Sequence, residues 1–167
     1  MKKAKIKKAK IKKAKSDRIL KSVLSVTALS IVVFAVVAFF IYQKRWIGPV
    51  FVALGILHLV VLEFLGKEIS SVWPDIIFGV IDNGILVVGA IIGADFAGPL
   101  GAVVGASAAN AITDGFAGLF EGWAAHHLRK HKIKEERTPL GSAIGKMAGC
   151  FLGAGIVLVI AWTIFLL

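Results

Sequence analysis

Two aspartates, Asp82 and Asp114, stand inside long apolar stretches, with amide and hydroxyl side chains close by in the chain. Ionisable groups in such surroundings are costly to keep, and sequences that keep them use them to conduct, couple or pair. Asp114 falls on one helical stripe with Ser107, Asn110 and Glu121, at spacings of three, four and seven residues, and Gly118 fills the remaining turn. Asp82 shares a stripe with Asp75, Gly79, Gly89 and Gly93, and Asn83 lies beside it. These side chains offer only oxygen ligands, which is the chemistry of hard cations such as calcium, magnesium or sodium. The expected metal ligands are therefore Asp82, Asn83, Ser107, Asn110 and Asp114, with Glu121 nearer the membrane surface. The plainer alternative is a hydrogen-bonded or protonated Asp82 and Asp114 pair that locks two helices together.

Glu121 and Lys146 each fall about seven residues from the same membrane face, which predicts a structural or gating ion pair rather than primary ligands. Softer ligands do not cluster. Cys150 is the only cysteine, so no disulfide within the chain and no redox chemistry are implied. His126 and His127 are adjacent, point to different sides of a helix and, with His131, read as interfacial anchors. His58, alone in an apolar run, reads as a hydrogen-bonded packing residue. Glu63 and Asp75 are placed at solvated helix ends, and Asp95 in a turn. With no nucleophile beside a base and no His-rich metal signature, an enzyme is not expected, nor a resident cofactor; the small molecule implied is a transported cation.

The elements that must hold these residues are membrane spans. The chain has 167 residues, 57% hydrophobic, and a mean hydropathy of +0.84, with the apolar residues in long runs. A spanning helix needs roughly 20 mostly apolar residues. About five stretches qualify, near 19–42, 48–65, 72–94, 99–126 and 139–167, which predicts an all-α polytopic membrane protein. Residues 19–167 form a single transmembrane domain and 1–18 a basic tail. The tail holds the run KKAKIKKAKIKKAK and most of the chain's +10 net charge. It reads as a cytoplasmic arm that orients the first helix and touches anionic lipid headgroups; nothing else in the chain resembles a nucleic-acid module. The first apolar run is too long for a signal peptide and reads as a retained anchor.

Loop charge then predicts a cytoplasmic N-terminus and an outside C-terminus. Segments 66–71 and 127–138 lie inside, whereas 43–46 and the turn around Asp95 lie outside, with Lys44 and Arg45 counting against the assignment. The tail and spans suit the plasma membrane of a prokaryote. Gly141, Gly145, Gly149 and Gly153 recur at steps of four on one face of the fifth span, a spacing that lets helices pack closely in lipid. A symmetric homodimer is expected, with this ridge or that of the third helix at the two-fold interface.

Three segments carry a resemblance: FGVIDNGILVVGA (78–90), GASAANAITDGFAGLFEG (105–122) and LGSAIGKMAGCFLG (140–153). In order and spacing they resemble the transmembrane protein 65 family over roughly the C-terminal half of the chain. Thr113 stands where that family tends to have Ser, Ser142 where it tends to have Lys, and two helices and the lysine tail are added. The resemblance implies a mitochondrial inner-membrane setting if the source is eukaryotic, sodium-dependent calcium export, and polar positions at Asp82, Asn83, Asn110 and Asp114. A weaker likeness is to the vacuolar iron transporter family, whose metal-binding cytoplasmic helices are missing here. The expected function is secondary cation transport, with sodium-coupled calcium exchange first: the ion sits between Asp82 and Asp114 and access alternates as their helices rock. The alternatives are a divalent iron or manganese transporter and a non-transporting membrane scaffold.

Overall fold

The structure, a computed structural model, describes the backbone of residues 2–130 and 138–164 and most side chains from residue 14 onward. Among the described residues every regular element is helical. Helix α1 spans Lys2–Phe40, α2 Lys44–Phe64, α3 Ile69–Lys130 and α4 Pro139–Leu158. A π-helical segment, Val159–Ile164, follows α4, so among the described residues the fifth expected span is α-helical only to Leu158.

Four of these helices contain a stretch long and apolar enough to cross a membrane: Ala14–Phe40, Lys44–Phe64, Ile69–Ala117 and Pro139–Trp162. The surface agrees with a lipid solvent. Phe34, Phe64 and Phe96 are 76%, 87% and 86% exposed, whereas the contiguous cluster of buried apolar residues is only Leu62, Val72 and Ile144. A water-soluble domain would distribute its aromatics the other way round. The lysine repeat is not a separate backbone element, because α1 runs through it without a break. Lys and Ala are strong helix formers and the segment contains neither Gly nor Pro.

Helix α3 folds back on itself. Ala97 (φ −146°, ψ 25°) and Gly98 (φ 58°, ψ −138°) leave the helical region and divide it into two arms, α3a (69–96) and α3b (99–130). Gly98 adopts a backbone conformation that side chains disfavour, and Pro99 opens the second arm where its missing N–H is no loss. The turn expected around Asp95 is thus corrected to Ala97 and Gly98; Asp95 stays helical and exposed. The arms lie antiparallel, with Gly93 against Gly101, Gly89 against Gly105, and Asp82 against Thr113. A Cβ on Gly98 would meet nothing within 4 Å, so its replacement tests the backbone alone. Gly98→Ala is expected to lower stability by about 1–3 kcal/mol, read as an earlier midpoint in unfolding titrations from detergent micelles. Gly84, helical and without close neighbours, is the control, and Gly84→Ala should be neutral or stabilising.

Helix α4 is the centre of the bundle, packed more extensively on α3 and α2 than on α1. It runs parallel to α3a, with Gly145 over Val72, Gly149 over Ile76 and Gly153 over Val80. Against α2 it is antiparallel, through Gly48 with Val159, Val52 with Gly155, and Gly55 with Leu152. Local chemistry fixes both ends of this arrangement. Helix α2 stops at a Schellman turn, where Gly66 (φ 64°) donates to Glu63 and Lys67 to Leu62 through their backbone N–H groups. Helix α4 starts with Thr138, whose hydroxyl accepts from the Gly141 N–H at 3.1 Å, followed by Pro139.

This packing corrects the expected dimer contact. The ridge of Gly141, Gly145, Gly149 and Gly153 faces α3a, and Gly89 and Gly93 face α3b, so both candidate ridges are already used within one chain.

Candidate carboxylate site

The Gly93–Gly101 and Gly89–Gly105 approaches bring the two arms of α3 almost backbone to backbone, and steps of four from Gly101 lead through Gly105 and Ala109 to Thr113. Thr113 is therefore the residue of α3b that meets Asp82. Its hydroxyl donates to Asp82 Oδ1, and both side chains are buried, at 3% and 8% exposure. The same hydroxyl oxygen lies 3.2 Å from the carbonyl of Ala109 and 3.0 Å from that of Asn110. A hydroxyl has one proton and two lone pairs. When Asp82 is ionised, Thr113 donates to it. When Asp82 is protonated, the acid can donate to Thr113, which turns its own proton to a carbonyl behind it. The carboxyl group can thus change protonation state without losing its partner.

The expected meeting of Asp82 with Asp114 does not occur. One residue along a helix is a turn of about 100°, so with Thr113 facing Asp82, Asp114 points away. It is exposed, and its Oδ2 accepts from Asn110 Nδ2 at 2.9 Å within α3b. Ser107 is exposed as well and donates to its own helix, to Val103 at 2.8 Å. Of the polar stripe of the fourth expected span, Ser107 and Asp114 lie on the outer face of the hairpin, with Asn110 half-buried beside them. The side chain of Glu121 lies outside the described residues, as do those of His126, His127 and His131.

On the other side of Asp82 the site continues towards α4. Asn83, the residue after Asp82, faces the same cavity as Cys150 and Lys146. The Lys146 ammonium sits over the Phe78 ring, 4.6 Å from its centroid, a cation–π contact that helps hold a charge among apolar side chains. Asn83, Lys146 and Cys150 line a cavity of about 440 Å³ that Ser30 and Phe34 of α1 and Phe51 of α2 help to close. Sequence reasoning passed over Cys150 as isolated and treated Thr113 only as a departure from a family pattern. The signal for Thr113 was present in the four-residue steps from Gly101.

His58 behaves as expected of a packing residue: it is 1% exposed, its Nδ1 lies 2.7 Å from the Leu54 carbonyl, and its ring is 5.2 Å from that of Phe151. Asp75 is half-buried rather than fully solvated, while Glu63 is exposed. Asp95 and Lys44 line one crevice with Trp162, which puts the α1–α2 turn and the tip of the hairpin at the same end of the bundle.

Among the described residues no three His, Cys, Asp or Glu side chains gather as a metal cluster would need. What the site offers is one carboxylate, one hydroxyl and two nearby carbonyl oxygens. That set balances a single positive charge and suits a proton or a monovalent ion better than a divalent one. Removing the hydroxyl tests its part: Thr113→Val should cost about 1–3 kcal/mol, the penalty of a buried polar group left without its partner. Thr113→Ser should recover most of it, both measured by unfolding in mixed micelles. No family model matches the chain, and no curated protein or solved structure matches it either.

Proposed function

We infer that the chain is a secondary cation transporter that crosses the bilayer five times, α1, α2, α3a, α3b and α4 each making one pass. The N-terminal lysines lie on the cytoplasmic side and the tip of the hairpin on the other. The observation that supports this best is Asp82: a carboxylate buried where the two arms of the hairpin meet, about 24 Å below its tip by helix rise, bonded to a hydroxyl that tolerates both of its protonation states. An ion-coupling group needs that property, because it must release one cation to accept another. Asp82 is the charge that holds the ion or proton, Thr113 the group that follows its state, and Asn83 the polar link to the cavity by Cys150 and Lys146. Sodium-coupled calcium exchange, which the three motifs imply by resemblance, is the form we test first, with Asp82 as the sodium- or proton-binding group.

A scaffold is the second reading, favoured by the glycine contacts between helices, which need no ion to explain them. Fluxes of radioactive calcium and sodium into proteoliposomes, under imposed sodium and proton gradients, separate the two. Gradient-driven flux supports the transporter. Absence of flux for a panel of monovalent and divalent cations, from protein shown to be folded, overturns it in favour of the scaffold.

A further inference from the structure

The outer face of α3b poses a separate problem. Ser107 and Asp114 are both exposed and lie on the side of the helix opposite Gly105, Ala109 and Thr113, which pack on α3a. Asp114 is about 24 Å along the arm from the reversal, within the roughly 30 Å of hydrocarbon that a span must cross. Lipid tails offer no hydrogen bonds there. Asn110 satisfies one carboxyl oxygen of Asp114 and leaves the rest of the pair's polar surface bare. Ala111, about 60° round the helix from Asp114, is exposed as well.

We propose that this face of α3b is the contact with a second copy of the chain. The two α3b arms pack side by side about a two-fold axis along the membrane normal, and Asn110 and Asp114 of each copy meet their counterparts. Whatever covers the face must present hydrogen-bonding groups at this depth. A second copy inserted in the same orientation does so by symmetry, and the Asn110 and Asp114 pair brings both a donor amide and an acceptor carboxyl, so the surface is self-complementary. Ser107 and Ala111, small and on the same face, let the backbones approach. The assignment rests on the five-pass reading proposed above, which places this face in lipid, but not on cation transport.

The test uses the full chain in liposomes. In a Cys150→Ala background, oxidation should link Ser107→Cys into dimers about tenfold more efficiently than Val88→Cys, an exposed position on the other arm. Equal yields, or none at Ser107→Cys, overturn the proposal. Energy transfer between labelled copies should show Asp114→Leu dimerising about tenfold more weakly than the unaltered chain. Unchanged association, or a monomeric unaltered chain at every protein-to-lipid ratio, overturns it.

Discussion

Asp82→Asn is expected to abolish gradient-driven cation flux while leaving a folded protein. The amide oxygen of Asn can still accept from the Thr113 hydroxyl, so the contact between the hairpin arms persists. What disappears is the negative charge. At about 4 Å and an effective dielectric near 20, one carboxylate attracts a monovalent cation by about 4 kcal/mol, so its loss should weaken ion binding on the order of a thousandfold. Asp114→Asn is the informative comparison. Because Asp114 faces away from Asp82, its replacement should leave the ion dependence of the remaining flux unchanged, even if association between copies is altered. Equal loss of ion binding in both variants would mean that the two carboxylates act together after all, and the assignment of Asp82 as the sole charged ligand would fail.

The second large effect is on stability and concerns one side of α4. A Cβ on Gly149 would land on the Ile76 carbonyl, with the carbonyl carbon at 2.8 Å, and one on Gly153 would land in the same way on Val80, also with the carbon at 2.8 Å. These neighbours are backbone atoms of α3a and cannot swing aside as a side chain would. Gly149→Ala and Gly153→Ala must therefore push two parallel helices apart, at about 1–3 kcal/mol each. Gly141, on the same stripe, has its nearest neighbours at 3.1 Å and 3.5 Å in side chains, so Gly141→Ala should cost clearly less. Unfolding titrations in mixed micelles read the series. A flat response along the stripe would show that α3a and α4 do not meet as described.

Long spans and close-packing glycines were legible along the chain because each is a local property. Apolar length sets a span and Pro139 suits a helix start, whereas the reversal expected around Asp95 belongs to Gly98, whose positive φ the structure supplied. That Asp82 and Asp114 stand inside apolar stretches also followed from the chain alone. Direction did not. Asp114 looked the natural partner of Asp82 because charge draws attention, yet the face of α3b that meets α3a is chosen by Gly101 and Gly105, whose missing side chains permit the closest approach. That choice turns Thr113 inward and Asp114 outward.

The sequence by itself determined that this protein is built of helices, four of them long and apolar enough to cross a membrane, with polar residues inside them, since these depend on composition and on a fixed rise per residue. Only the tertiary structure decided which of those residues meet. Partners across a helix pair depend on the rotation of each helix about its axis, and backbone contacts between distant glycines, not the polar residues themselves, set that rotation.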